Sequence, residues 1–281
     1  MIYVEKVSSG QSKKMKKIIY WVGAAVLVTV SAAYAEDSSV NNGFGVDFSF
    51  DANKKHYKQV DLVTQTFTVS PSYRRGDVSI SLDMPYIHET IDGAVTFKKQ
   101  RKIRKKRYVI GTYSVHETAS GMGDMSLSLN DRFWRSEDKS DELNVTYIHK
   151  FDNGSDDYTV GSGSVDDTVE LGYSHYWQAL SATLAAGHTN VNGGGSNDLQ
   201  ADSSYSYAYL DLSYMLNDYF ALGVMYDYAQ SQYENKPDHD EITYSISLMP
   251  TDSTLIKAYY LTDGEKGQPE WESGISATYS Y

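Results

Sequence analysis

Apolar and polar side chains alternate with a period of two through most of this chain. Between residues 44 and 50, phenylalanine and valine alternate with glycine, aspartate and serine, and a similar pattern returns at 63–73 and 78–86. Successive side chains of a β-strand point to opposite faces, so each segment predicts a strand with one apolar and one polar face. The sequence shows no amphipathic helical period of useful length. The chain is therefore predicted to be all-β.

Twelve alternating segments are found, and the connections between them alternate between short turns and long polar loops. The longer predicted loops include residues 51–58 and 88–120. An even number of strands with short turns at one end is typical of bacterial outer-membrane barrels. We predict a transmembrane antiparallel up-and-down β-barrel of about 12 strands, with both termini in the periplasm. A soluble β-sandwich also alternates, but lysine and glutamate usually crowd its polar face, whereas serine, threonine, glycine and tyrosine dominate here.

The last eleven residues form one such segment. Trp271, Ile275, Tyr279 and Tyr281 fall on its apolar face, and small or polar residues fall on the other. The aromatic ending at Tyr279 and Tyr281 resembles the C-terminal signal that the barrel assembly machinery of the outer membrane recognises. We expect this strand to pair with segment 44–50 and to close the barrel.

The N-terminal segment predicts export. Four lysines between positions 13 and 17 precede the apolar run 18–30, and Ala33-Tyr34-Ala35 has the small-x-small form of a signal peptidase site. Residues 1–35 are predicted to be a signal peptide, with Met15 as an alternative start, and residues 36–281 the barrel. The apolar run is shorter than the ~20 residues that a membrane-spanning helix requires. Export and alternation together predict the outer membrane of a Gram-negative bacterium.

Composition limits the chemistry that the chain can perform. It contains no cysteine, which leaves out disulfides and thiolate metal sites. Ser174 and His175 are adjacent, so on a strand they point to opposite faces and cannot form the serine–histidine pair of an outer-membrane phospholipase. We predict a protein that is not an enzyme and that holds no cofactor and no metal.

A basic run interrupts an otherwise acidic chain. The formal net charge is −12, yet residues 98–107, inside the predicted long external loop, contain eight basic side chains. Contact with lipopolysaccharide phosphates is the predicted function of this run, and a solvated, mobile loop is the alternative. No aromatic residue is interleaved, so nucleic acid is not a predicted partner. The eight residues are Lys98, Lys99, Arg101, Lys102, Arg104, Lys105, Lys106 and Arg107.

The polar faces of the strands supply candidate lumen residues. Acidic residues outnumber basic ones among them, so an open lumen would favour cations or neutral molecules over anions. Tyrosine rings and hydroxyls would suit sugars or aromatic solutes. The alternative is an interior that these side chains fill. The predicted lumen residues are Asp47, Asp83, Asp124, Arg132, Lys150, Glu170, Tyr207, Tyr209, Asp211, Asp227, Lys257 and Tyr259.

Two motifs carry a family resemblance. The strand 77–86 ends on Pro85 and Tyr86, and Ser120-Gly121-Met122-Gly123-Asp124 opens the next strand. Both resemble motifs of the outer-membrane transporters of the phenol meta-degradation pathway. The resemblance implies a barrel that passes small, often aromatic, molecules across the outer membrane. From the residues themselves, the glycines permit a bend where loop meets strand, and Asp124 either bonds backbone at a turn or forms part of a gate.

Two functions from different classes remain open. The first is a channel or transporter for small solutes, which include aromatic or neutral ones. The second is a closed structural or surface-interaction barrel that works through its loops. The alternation and the two motifs favour the channel.

Overall fold

The computed structural model describes residues 42–57, 60–97, 111–155, 164–192, 204–231, 238–263 and 271–281. Over these ranges the chain forms thirteen antiparallel strands in one sheet. The predicted signal peptide and the basic run 98–107 lie outside the described residues. Among the residues that are described, no helix is long and apolar enough to cross a membrane. The strands are β1 Gly43–Tyr57, β2 Val60–Arg75, β3 Val78–Phe97, β4 Gly111–Met122, β5 Ser126–Arg135, β6 Asp141–Lys150, β7 Val165–Trp177, β8 Leu180–Asn192, β9 Ser204–Asn217, β10 Phe220–Ala229, β11 His239–Thr251, β12 Thr254–Asp263 and β13 Trp271–Ser280.

Two of these strands share one position in the wall. The extracellular part of β3, from Tyr86 to Phe97, pairs with β4. The periplasmic part of β3, from Val78 to Asp83, pairs with β5. β4 and β5 therefore form one line of chain that is interrupted at residues 123–125. Twelve positions surround the barrel, which confirms the predicted architecture.

The barrel closes where its first and last strands meet. β1 pairs with β13 from Asp47 opposite Ser280 to His56 opposite Trp271, as the sequence predicts. Beyond the last paired residue, Val46 and Tyr281 exchange two backbone hydrogen bonds of 3.1 Å each. The side chain of Tyr279 points outward and is half exposed. Its recognition by the assembly machinery stays a prediction.

Burial is inverted relative to a soluble protein. Phe48, Leu184 and Ile246 are 40%, 55% and 56% exposed, although they lie in the middle of strands. Thr68 and Thr189 on the opposite face are only 7% and 2% exposed. A soluble sheet would bury its large apolar side chains and expose its polar ones. The outer face is therefore a lipid-facing surface, and the polar face encloses the barrel interior.

Two similar side-chain clusters join β6 and β7 on the outer face of the barrel. They lie at the two borders of the lipid band. In each, an aspartate oxygen lies close to a histidine Nδ1, at 2.8 Å in one cluster and 2.6 Å in the other, and accepts a tyrosine hydroxyl at 2.5 Å. Along β6 they are eight residues apart, from Asp141 to His149. That separation is about 20 Å across the membrane for a strand tilted by about 40°. The clusters are Tyr147, His149 and Asp167 at the outer border and Tyr173, His175 and Asp141 at the periplasmic border.

The turn between β5 and β6 is one of the short periplasmic connections that the sequence predicts. Asp138 accepts hydrogen bonds from Ser136 Oγ at 2.7 Å, Ser140 Oγ at 2.9 Å and Ser140 N at 3.2 Å. These hydrogen bonds, that from Ser136 first, lower the pKa of Asp138 below its usual value. Lys139 between them adopts a left-handed conformation with φ 61°. The carboxylate thereby fixes a turn that no glycine supports.

Two loop predictions are wrong over most of their length. The segment 88–120 is strand up to Phe97 and again from Gly111, and the segment 51–58 is strand up to Tyr57. These parts rise beyond the lipid band, where the outward face of a strand meets water instead of lipid. An apolar outward face is not required there, and His88, Thr90 and Asp92 replace the apolar residues that occupy this face from Val78 to Tyr86, so the pattern does not continue.

Engineered cysteines should report the closing register. Because Val46 and Tyr281 form a hydrogen-bonded pair, Ser49 and Thr278 form a non-hydrogen-bonded pair, with Cα atoms about 4.5 Å apart. The double variant S49C/T278C should form a disulfide on mild oxidation of the folded barrel, and mass spectrometry will detect it. The offset control S49C/S276C places its Cα atoms about 7–8 Å apart and should stay reduced. Cross-linking of the offset pair alone would show that the register is wrong.

Candidate functional site

Buried carboxylates are in excess on the inner face of the barrel. Five carboxylates and one ammonium group in the described ranges are each no more than 8% exposed. A buried charge is costly unless other groups compensate for it, so each of these side chains is expected to have polar or charged partners. They are Glu142, Glu170, Asp227, Glu241, Glu272 and Lys55.

Ion pairs neutralise part of this negative charge. The pairs occur near the periplasmic turns and near the outer ends of β1, β13, β6 and β7. Their Nζ or guanidinium nitrogens lie within 4 Å of a carboxylate oxygen, for example 3.0 Å in the Lys55–Glu272 pair. The pairs are Arg132 and Arg135 with Glu142, Arg132 with Asp77, Lys55 with Glu272, and Lys150 with Asp166.

Glu170 is held in a different way, by two tyrosines from β9. Tyr207 Oη donates a hydrogen bond to Glu170 Oε2 at 2.7 Å, and Tyr209 Oη donates to Oε1 at 3.3 Å. Glu170 lies on β7, so the Tyr207 side chain has to cross β8 to reach it. It crosses directly over Gly187, where a Cβ atom would overlap with the phenol ring. A residue without a side chain at position 187 is therefore a condition for this contact.

Tyr259 also lies over a glycine and bonds a carboxylate, but on the directly neighbouring strand. Its ring lies over Gly274 of β13, where a Cβ atom would come within 2.5 Å of Cζ. Its hydroxyl donates to Glu272 Oε1 at 3.2 Å, and Glu272 pairs with Lys55 of β1. The tyrosine thus ties β12 to the strand that closes the barrel.

Two other glycines of the inner face are covered by smaller side chains. Asn144 covers Gly172 and Ser245 covers Gly223, and in both cases the two residues are direct cross-strand neighbours. Because glycine has no side chain, the side chain of the cross-strand neighbour occupies the space above it. The inner face is therefore smoothed by polar side chains that lie along the wall instead of projecting from it.

The remaining predicted lumen residues on strands also lie on this face. Asp227 is the register neighbour of both Tyr209 and Glu241. Ser126 Oγ donates to Asp83 at 3.4 Å. The other members are only partly buried: Asp47 on β1, and Asp211 and Lys257, which lie close enough to interact electrostatically.

Asp124 lies in the break between β4 and β5 instead of on a strand. Its carboxylate accepts a hydrogen bond from Gly154 N at 2.8 Å, which fastens the chain after β6 to the break. Gly123 N donates to the Pro85 carbonyl at 2.9 Å, and the Ile87 and Pro85 side chains fill the space where a Cβ atom of residue 123 would lie. The motif residues therefore make a close backbone contact between strands.

The other motif residues lie around this contact. Tyr86 projects outward and is 48% exposed. Ser120 Oγ lies 2.6 Å from His88 Nδ1 on the neighbouring strand, and Gly121 lies beside Ile87 in the register. None of these side chains belongs to the Glu170 or Glu272 clusters.

Sequence reasoning missed several inner residues. Asp51 and Lys55 continue the odd-numbered inner face of β1, but the strand was predicted to end at residue 50. Glu272 lies on the same face as Gly274, and Glu142 and Glu241 lie near strand ends. Extending the alternation by a few residues would have found Asp51, Lys55, Glu142 and Glu241, whereas Glu272 lies within the predicted terminal strand and was not assigned to the lumen.

The similarity of this chain to known proteins lies in structure and not in sequence. No family model matches the sequence, and neither does any curated protein sequence. An outer-membrane channel from Pseudomonas putida has a TM-score of 0.61 at 11% identity, with 89% of this chain and 99% of that chain covered. The monoaromatic hydrocarbon channel CymD has a TM-score of 0.46 at 9% identity, with 86% and 89% covered. The KdgM porin in complex with disordered oligogalacturonate has a TM-score of 0.48 at 8% identity, with 84% and 99% covered.

The first of these likenesses shows the fold. The protein is a β-barrel of the outer-membrane type, as the alternation and the closing strand predict.

Loss of one tyrosine hydroxyl should destabilise the barrel measurably. Tyr207→Phe removes a hydrogen bond to a buried carboxylate, which is expected to cost about 1.5–3 kcal/mol of unfolding free energy. Urea unfolding of the barrel in detergent micelles, followed by gel mobility, measures this loss. The control Tyr226→Phe lies on the lipid face, is 44% exposed and should change stability by less than about 0.5 kcal/mol. Equal effects of the two substitutions would contradict the assigned contact.

Proposed function

We propose that the protein is a channel for small solutes across the outer membrane. The observation that carries this proposal is the chemistry of the inner face inside a closed wall of twelve strand positions. Hydroxyls, phenols and charged groups line most of this face, and Leu62, Ile91 and Leu261 are buried among them. A barrel of this size has a bore between that of a filled eight-stranded barrel and that of a large porin. Polar lining groups favour water and hydrophilic solutes in such a bore.

Charge supports a preference among solutes. Buried carboxylates outnumber buried ammonium groups on the described inner face, and Glu170 has no ion pair with any residue that the structure describes. A wall of one sign in a low-dielectric setting concentrates ions of the opposite sign. The channel therefore favours cations and neutral molecules over anions.

The narrower identification concerns the solute. The Pro85-Tyr86 and Ser120–Asp124 motifs resemble those of transporters of the phenol meta-degradation pathway. This resemblance supports small aromatic molecules as additional cargo. Proposed partners at the surface are lipopolysaccharide, through the basic run 98–107, and the barrel assembly machinery, through Tyr279 and Tyr281.

A second candidate function is a closed barrel that acts through its loops. The observation in its favour is the tight burial of the inner face, where Glu170, Ala185 and Thr189 are 8%, 2% and 2% exposed. Side chains that fill the interior would prevent passage, and the basic run would then carry the function by binding surface phosphates.

Catalysis is not part of the proposal. Two serine–histidine contacts occur on the outer face, His188 with Ser206 at 2.9 Å and His88 with Ser120 at 2.6 Å. A catalytic histidine is oriented by a third group, usually a carboxylate. In the described part of the chain neither histidine contacts a carboxylate.

Liposome swelling separates the two candidate functions. Purified protein in liposomes should admit small neutral sugars, because the polar inner face stabilises hydrated solutes. The rate of swelling in isotonic sugar, relative to protein-free liposomes, measures this passage. Absence of swelling with every small neutral solute, together with absence of conductance in planar bilayers, would exclude the channel.

Neutralising inner carboxylates should weaken cation preference. D47N/D83N removes two charges from the inner face, and the ratio of cation to anion permeability should fall roughly two- to tenfold. Reversal potentials in a potassium chloride gradient measure this ratio. The control E137Q/D218N makes the same change of charge on exposed residues of the periplasmic turns and should leave the ratio nearly unchanged. An equal fall in both double variants would mean that the inner wall does not set selectivity.

A further inference from the structure

The two tyrosines that cover glycines lie on nearly opposite parts of the wall. Tyr207 covers β8 and Tyr259 covers β13. Around the twelve positions, four strands separate β8 from β13 on one side, and six positions separate them on the other. The interior therefore has a tyrosine on each of two facing sides.

Both tyrosines also lie at a similar depth. Gly187 is seven residues from Leu180, where β8 leaves its periplasmic turn, and Gly274 is six residues from Ser280, where β13 ends on the periplasmic side. Strands of one barrel share a common tilt, so similar distances along the strands correspond to similar depths. The two rings thus face one section of the interior.

Each ring lies flat against the wall. Three ring or hydroxyl atoms of each tyrosine crowd the space above its glycine, so one face is pressed on the backbone and the other faces the interior. Both side chains keep part of their surface exposed, whereas Tyr209 is only 4% exposed. The available surface on each side is therefore the face of a π system.

Both phenols donate their hydroxyl hydrogens to carboxylates. Tyr207 donates to Glu170 and Tyr259 donates to Glu272. The negative charge beside each ring adds to the attraction that the ring face exerts on a cation. The two sides differ in one respect: Glu272 is paired with Lys55, while Glu170 makes no ion pair with a described residue.

We propose that Tyr207 and Tyr259 form a binding site for small organic cations, of the quaternary ammonium type, inside the channel. An aromatic face attracts such cations within about 6 Å of the ring centroid, and their weak hydration favours exchange of water for a ring. Tyr207 contributes more than Tyr259, because Lys55 offsets the carboxylate beside Tyr259. The site deepens the proposed function and rests on it, since the cation enters through the lumen.

Choline and its uncharged isostere test the site directly. 3,3-Dimethyl-1-butanol has the shape of choline, with carbon in place of the charged nitrogen. In planar bilayers bathed in potassium chloride, choline should reduce the conductance of single channels at millimolar concentration, and the alcohol should not. Equal effects of the two compounds would show recognition of shape alone and would overturn the proposal.

Substitutions assign the effect to the two rings. Y207L should weaken the block by choline about threefold to thirtyfold, the range expected for loss of one cation–π contact. Y259L should weaken it less. Y207F keeps the ring face but loses the bond to Glu170, so it should give an intermediate effect and also serves if Y207L fails to fold. Tyr226→Leu on the lipid face is the matched control, and choline should block this variant as it blocks the parent protein.

Failure of this proposal differs from failure of the proposed function. A parent channel that conducts potassium but ignores choline, or a Y207L variant that is blocked like the parent, would overturn the cation site alone. A protein that conducts nothing would overturn the channel. If the protein conducts nothing, calorimetric titration of the protein in detergent with choline tests the cation site. Absence of binding heat would overturn the site as well.

Discussion

Closure of the hydrogen-bonded wall is the constraint on which the rest of this structure depends. A strand edge that faces lipid has no water to satisfy its backbone groups, and each unsatisfied group costs several kcal/mol. Pairing of β1 with β13, completed by the two bonds between Val46 and Tyr281, removes the only edges that a row of twelve strands would leave. Once closed, the wall has one face for lipid and one for the interior.

The interior is organised by the pairing of a glycine with the side chain of its cross-strand neighbour. Tyr207 reaches Glu170 across β8 because Gly187 has no side chain there, and Tyr259 lies over Gly274 and bonds Glu272 of the same neighbouring strand. The Tyr207 contact ties β9 to β7, which are not direct neighbours, whereas the Tyr259 contact joins the neighbouring strands β12 and β13. They also turn aromatic rings flat against the wall, so the groups that stiffen the barrel are the same groups that a passing solute would meet.

The sequence predicted the strands well where lipid imposes alternation and poorly where it does not. The segment 78–86 was assigned correctly to β3, because each outward residue there has to be apolar. Beyond the lipid band the outward face turns polar at His88, Thr90 and Asp92, so an apolar outward face no longer marks the strand. The same loss of pattern hid Asp51 and Lys55 in a supposed loop.

The sequence by itself determined the closed barrel, the number of strand positions and the face on which each strand residue lies, since a period of two is a local property of the chain. Only the tertiary structure decided which inner residues meet. Glu170 and Tyr207 are 37 residues apart and lie on strands separated by a third, so their contact depends on the register of two pairings and on the glycine between them. Parity assigns a residue to a face, but it contains no information on the offset of one strand against the next.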